Sequence, residues 1–389
     1  MKKILISLSI IGAVAAIVIG ATTAFFSDIE TSSGNTFTAG VVDIVVDDQN
    51  PWDEHSEPFV LDDIKPSQTR YIEFTIRNLV ESNPADVWKH INVTSQVDGV
   101  ITEPECTEGG GTWIWEPVTQ TGTCEGDYEE RNNLAAYIIY DLYVCEDPAT
   151  DKCLTDGDSK PTDIGDWIPI ITEEQYVRLD NVSSAWIKLG QLNSAKELKV
   201  VQSYHLRSWP DAPEEEVGNW AQGDILTFDI EIYAEQLGGY GPKGEQAMLT
   251  LDNKDENWDP VSDDISATLT YKTSGEEFDY SLTGTVQNTD TNYCLIYYAD
   301  PYPGNGPGGT GGALIGSELS DGAGNITMSG TPDLGMDLPS ADDDNYPAGA
   351  KIWLVPCGEY DQAGNMLTAW NPAEYLFEMQ FITYDDTGI

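Results

Sequence analysis

Polar and apolar residues alternate along most of this chain with the period of a β-strand, and almost nowhere with the period of a helix. Tyr71-Ile72-Glu73-Phe74-Thr75-Ile76-Arg77 and Leu226-Thr227-Phe228-Asp229-Ile230-Glu231-Ile232 switch character residue by residue. That is the pattern of a strand with one face buried and one in water. Residues 91–97, 134–144, 185–189 and 198–206 are rich in β-branched and aromatic side chains, and clusters of Pro, Gly, Asp and Asn separate them. The pattern predicts a β-sandwich, with 98–133 and 145–175 as surface excursions. Gly238-Gly239-Tyr240-Gly241-Pro242-Lys243-Gly244 then interrupts it and marks a domain boundary. Beyond this point, residues 265–271, 278–282, 293–298, 325–328, 351–355 and 375–381 predict a second set of strands, with long Gly-rich loops at 301–312 and 320–324. The expected fold class is all-β, two β-sandwich domains of the jelly-roll or immunoglobulin-like kind, the second spanning 245–389.

The N-terminus has a different pattern. Lys2-Lys3 precede a predominantly apolar run over 4–20, followed by Ala21-Thr22-Thr23-Ala24 and then Phe25-Phe26-Ser27-Asp28. Cations, a hydrophobic stretch and small residues at alternate positions are the parts of an export signal. We place the signal peptide at 1–24, with cleavage after Ala24. An uncleaved membrane anchor is the alternative, and it is the only membrane association the sequence suggests. In either case the remainder of the chain lies outside the cytoplasm, secreted or at the cell surface.

The residues just past the cut are more specific. Phe25-Phe26-Ser27-Asp28, followed by Gly34-Asn35-Thr36-Phe37-Thr38-Ala39-Gly40-Val41-Val42-Asp43-Ile44, resembles the TasA/camelysin family. Ile64-Lys65-Pro66 ahead of the strand from Arg70 is similar to the family's turn and strand, with Ser67-Gln68 in place of its usual Gly-Asp. Asn219-Trp220-Ala221-Gln222-Gly223-Asp224 before Leu226 is similar to its closing strand, so the resemblance spans about residues 1–240. It implies processing by a dedicated signal peptidase and a secreted structural protein whose copies form biofilm-matrix fibres. In such fibres the freed N-terminal segment of one subunit completes the sandwich of the next, with self as the partner. The donor segment would be 25–46, anchored by Phe25, Phe26, Ile29 and Phe37, with Thr31–Asn35 crossing between subunits. The alternative is that 37–46 forms an ordinary first strand of its own domain. A mixed case keeps 41–46 internal and exchanges 25–39.

Composition is that of an exported, folded protein. The 389 residues include 11 Trp and 19 Tyr, enough to build cores. A net charge of −49 arises from 67 acidic against only 18 basic residues. Such a surface repels nucleic acid and anionic lipid, and it suits saline surroundings or divalent cations. Six cysteines in an exported chain read as disulfides. Spacing pairs Cys106 with Cys124 around a Gly-rich insert, and Cys145 with Cys153 around a short turn, which leaves Cys294 with Cys357.

Camelysin has been described as a metalloprotease, so catalytic chemistry must be weighed. The histidines, His55, His90 and His205, form no His-Glu-x-x-His pair, and no Gly-x-Ser-x-Gly elbow is present. We therefore expect no enzyme and no required cofactor. Asn253, Asp255, Asn257 and Asp259 recur at every second position, a candidate calcium loop, although Trp258 stands where such loops need glycine. Asp342-Asp343-Asp344-Asn345 is a second oxygen-rich turn. For both, a solvated loop is the alternative. Asn92, Asn181 and Asn325 open glycosylation sequons. The rivals to a fibre subunit are a monomeric cell-surface protein that binds a cation or glycan and a camelysin-like protease.

Overall fold

A computed structural model describes residues 27–31, 42–50, 52, 59–61, 68–97, 101–126 apart from 102, 109, 118 and 120, 134–146, 148, 152–183, 185–206, 224–237 and, apart from 262, 308 and 310, 239–388. The signal segment, Phe25, Phe26, Phe37 and His55 lie outside these residues, and for 27–31 only the backbone is described. The architecture is nearly all β. Among the described residues no helix is long and apolar enough to cross a membrane.

The first unit contains β1 (Ser27–Thr31), β2 (Ile44–Val46), β3 (Phe59–Leu61), β4 (Arg70–Asn78), β5 (Ala85–Val97), β6 (Thr112–Glu116), β7 (Thr121–Glu125), β8 (Ile138–Glu146), β9 (Ile168–Ile171), β10 (Trp186–Leu192), β11 (Glu197–Leu206) and β12 (Ile225–Gln236). One layer runs β2-β4-β11-β8-β9, and the facing layer begins β1-β12-β5-β10. Alternation does what period two demands. Phe74 and Ile76 of β4, Val200 of β11 and Leu226, Phe228, Ile230 and Ile232 of β12 all turn into one buried cluster. β5 departs from this rule, because Ala85 to Lys89 are buried on both faces. Val87 joins the first core while Trp88 joins the next one.

The second unit contains β13 (Gln246–Asp252), β14 (Ser266–Lys272), β15 (Ser274–Gly275), β16 (Tyr280–Thr285), β17 (Asn292–Tyr298), β18 (Ala313–Leu319), β19 (Asn325–Gly330), β20 (Lys351–Pro356), β21 (Tyr360–Asp361), β22 (Met366–Leu367), β23 (Phe377–Glu378) and β24 (Asp385–Asp386). Its layers are β13-β14-β16-β19 and β18-β17-β20. Leu249, Leu269, Leu282, Leu295, Ile352 and Leu354 meet between them.

The glycine-rich stretch at 238–244 changes the core without ending the sheet. β10 pairs in parallel with β13, setting Trp186 beside Ala247 and Ile187 beside Met248. One ten-stranded sheet therefore runs through both units. Met248 packs into the first core, and Trp88, Trp186 and Tyr233 pack into the second. Hydrogen bonds cross the same junction, from Gln175 Nε2 to Asp252 Oδ2 at 2.6 Å and from the Thr250 hydroxyl to the Ile170 carbonyl at 2.6 Å.

Several segments differ from the pattern-based expectation. Residues 145–175 are not only an excursion, since β9 pairs with β8 and buries Ile170 and Ile171. The 98–133 stretch carries a short helix, Glu103–Glu108, and the β6–β7 hairpin. Leu134–Ala136 is a 3-10 turn ahead of β8. Only Phe377–Glu378 of 375–381 is a strand, because Pro372 opens a 3-10 turn that delays it. β13 and β18 carried too little alternation to be picked out.

Candidate functional site

The feature with functional geometry is the free side of β12. Along that edge β1 pairs antiparallel with residues 231–235, Ile29 lying opposite Tyr233. β3 pairs with residues 226–228 of the same edge. Two short segments, end to end, thus supply the backbone partners of a long strand that would otherwise stand at the margin of the sheet. β3 is fastened by aromatic contact, Phe59 stacking on Phe228 at 5.5 Å. β1 belongs to the candidate donor segment 25–46, and the other end of that segment behaves differently. Val42, Ile44 and Val46 are buried in the first core, and β2 pairs with β4. Ile44–Val46 is therefore an internal strand, while Ser27–Thr31 is an edge strand on the opposite layer.

The described histidines stand in different layers. His90 on β5 faces an acceptor with each ring nitrogen, Glu231 Oε2 at 3.3 Å from Nδ1 and the Ser183 carbonyl at 3.2 Å from Nε2. Its ring stacks on Trp186 at 5.1 Å. His205 is buried on β11, opposite Ile139 of β8. Among the described residues no group of three or more His, Cys, Asp or Glu is placed to hold a metal ion. A zinc peptidase centre needs histidine lone pairs converging on one point, and these residues do not fit one. No step through a metal follows from them.

The candidate calcium residues are used in turn chemistry. Asp255 Oδ1 accepts from the amides of Asn257 at 2.8 Å and Asp259 at 3.1 Å, while Trp258 takes a left-handed φ of 68°. Asn253 donates to Asp263 at 3.0 Å. Asp156 and Asp321 repeat the arrangement, each bonding the amides two and four residues on. An aspartate that bonds its own backbone in this way shapes a hairpin end. Asp343 is likewise engaged, accepting from the Tyr297 hydroxyl at 2.8 Å and from the Asn345 amide at 2.9 Å. Of the sequon residues, Asn92 and Asn325 are exposed and Asn181 is half-buried in a short helix, Leu179–Val182.

Disulfides join Cys106–Cys124, Cys145–Cys153 and Cys294–Cys357. The last ties β17 to the end of β20, its neighbour in the sheet.

Buried ionisable groups were not legible in the sequence. Lys89 is fully buried in the first core, donating to the Tyr140 hydroxyl at 2.9 Å, which in turn donates to Gln202 at 2.9 Å. Burial holds its amine well below the ordinary lysine value. Across the sheet, Lys188 pairs with Asp86 at 2.9 Å. Burial likewise raises Asp141, Glu235, Asp252 and Glu378, each to about 7. One local signal could have exposed the pattern: Asp86, Lys89 and Lys188 sit within runs otherwise rich in Val, Trp, Ile and Leu.

A second surface feature lies on the other unit. Trp258, Tyr302 and Trp370 are 53%, 56% and 43% exposed. Trp370 stands 6.3 Å from Trp258 and 6.4 Å from Tyr302, so the rings form one aromatic patch.

No curated protein and no solved structure matches this chain. Residues 1–95 match a family model described as camelysin metallo-endopeptidase. The matched stretch includes β1 to β4 and most of β5, while β12 and the entire second unit lie beyond it. The similarity to the camelysin family is therefore confined to residues 1–95, about a quarter of the chain.

Proposed function

We propose that this protein is a secreted structural subunit that polymerises into extracellular fibres by exchanging its N-terminal strand. The observation that carries the reading is the pairing of β1 with β12. Five residues at the start of the mature chain complete a sheet edge, yet the next described segment belongs to the opposite layer. A segment attached to the domain only at its far end can satisfy the same backbone groups on a neighbouring copy. Release by signal peptidase after Ala24 frees it to do so. No enzyme activity and no cofactor enter this function, and calcium acts at most on assembly through the acidic surface.

The test compares a chain beginning at Phe25 with one beginning at Gly40, under matched salt, with and without calcium. The first is expected to form filaments in negative-stain micrographs. The second is expected to stay monomeric, retain its β-sheet circular dichroism, and bind a peptide spanning Phe25–Ala39. A Phe37→Asp peptide should bind more weakly, since it carries a charge into an apolar groove. Monomers from both chains would overturn the proposal. That outcome would favour a surface binding protein, the reading supported by the Trp258–Trp370–Tyr302 patch, where exposed aromatic faces suit stacking against sugar rings.

A further inference from the structure

Lys188 on β10 and Asp86 on β5 lie on neighbouring strands, with Nζ 2.9 Å from Oδ1 and side chains only 3% and 1% exposed. The register places Lys188 opposite Trp88 and Gln191 opposite Asp86, so the contact runs diagonally across one face of the sheet. Lys188 Nζ also donates to the Ala348 carbonyl at 3.1 Å and stands 5.7 Å over the Trp88 ring. On the other side of Asp86, its register partner on β12 is Glu235, itself buried. Glu235 accepts from the Tyr233 hydroxyl at 3.1 Å and from the Gly241 amide. The cover is close, for a Cβ added at Gly241 would meet Trp88 at 2.8 Å.

An amine and a carboxyl held in contact, both almost fully buried, have the proximity of an intramolecular reaction. Passage of the amine's proton to the carboxylate within the pair supplies the lone pair and the carboxylic acid that a condensation needs. Burial accordingly holds the Asp86 carboxyl above its ordinary value. Glu235, raised chiefly by burial to about 7, is suited to give and take a proton near neutrality. Residues opposite one another on antiparallel strands have Cβ atoms about 5 Å apart, within reach of a carboxyl relay.

We propose that Lys188 and Asp86 condense into an intramolecular amide that covalently joins β10 to β5, with Glu235 as the neighbouring acid. The Nζ lone pair forms a bond to Asp86 Cγ, the bond from Cγ to the hydroxyl breaks, and that oxygen leaves as water. Glu235 lends a proton to the departing hydroxyl and recovers one from the nitrogen. Amine plus carboxylic acid becomes amide plus water, with no oxidant, reductant or activating nucleotide. The cross-link ties the strand beside β12 to the strand that meets β13, and it holds whether or not the chain polymerises.

The test is the intact mass of the full-length secreted protein after complete reduction and alkylation. The expected mass is that of the sequence from its measured N-terminus plus six alkyl groups, less one water, with a branched peptide containing both Asp86 and Lys188. Asp86→Asn should reach the same final mass as the wild type, because it releases ammonia instead of water. Lys188→Arg should keep the ion pair and show the full mass with linear peptides only. In Glu235→Gln the branched peptide should fall at least tenfold while circular dichroism stays unchanged, and its persistence would remove Glu235 from the reaction. A wild-type protein at full mass, with Asp86 and Lys188 in separate linear peptides, overturns the proposal and leaves a buried ion pair.

Discussion

Replacing Lys89 with Met should make this protein more stable, by an amount that depends on pH in a defined direction. Lys89 is buried with its Nζ on the Tyr140 hydroxyl, and among the described residues no carboxylate pairs with it. Its amine is held well below the ordinary 10.5 by burial alone. In the unfolded chain at neutral pH the amine carries a proton, and folding must remove it. The cost of that release grows as pH falls below 10.5. Met fills a similar volume without the amine and forfeits one hydrogen bond, worth about 1 kcal/mol. The expected net gain is about 2–4 kcal/mol at pH 7, within the range seen when buried charges yield to apolar side chains. The sign with pH follows from a folded value that is depressed. Stability supplied by the wild-type lysine rises toward the unfolded value and is lost as pH falls toward the folded one. The advantage of Lys89→Met should therefore shrink as pH rises from about 7 to about 9. Urea unfolding of both proteins across that range measures it. A variant that is less stable at pH 7, or a gap that does not change with pH, refutes the reasoning.

The carboxylates raised to about 7, Asp141, Glu235, Asp252 and Glu378, act in the opposite direction. Raised acids stabilise the fold below their unfolded values and lose that contribution as pH rises through about 7, so the wild type should melt lower at about pH 8 than at pH 5. Asp141→Asn, which keeps an acceptor for the Ser203 hydroxyl, should flatten part of that fall, gaining up to about 4 kcal/mol at pH 8 and nothing near pH 4; an unchanged pH profile would contradict it. Among the disulfides, Cys294–Cys357 closes a separation of 63 residues and Cys145–Cys153 one of 8. Paired Cys→Ala replacement should cost about 2 kcal/mol more at the long link than at the short one by chain entropy, and equal losses in calorimetry would count against that account.

Strands with one wet face were readable because burial and period coincide. Phe74 and Ile76 on β4 and Phe228, Ile230 and Ile232 on β12 point inward as their alternation requires. Strands covered on both faces were not. β5 begins at Ala85, yet Asp86, Lys89 and His90 masked its first half, because a charge in a sequence signals water and here two cores enclose it. β13 went unrecognised for a related reason, since Ala247 to Asp252 are all buried and the strand shows no wet face. The every-second-residue spacing of Asn253, Asp255, Asn257 and Asp259 was visible but ambiguous. Calcium loops and aspartate-built hairpin ends draw on the same side chains, and here Asp255 Oδ1 accepts the amides of Asn257 and Asp259. At the β12 edge, the register of residues 27–31 on Glu231 to Glu235 left no trace in the sequence pattern.

Domains joined by a linker usually swing against one another, because few contacts resist the motion. The seam between β10 and β13 removes that freedom by making the two units share a plank. Bending at residues 238–244 would have to shear Trp186 from Ala247 and pull Gln175 from Asp252, so torque applied to one unit is delivered to the other. In a stack of such subunits, the orientation of the second unit would be set once, at the β12 edge, and repeated without drift. The aromatic patch around Trp370 would then recur along such a stack at constant pitch, like teeth on a rack, offering a multivalent surface whose spacing is dictated by the strand pairing at the β12 edge.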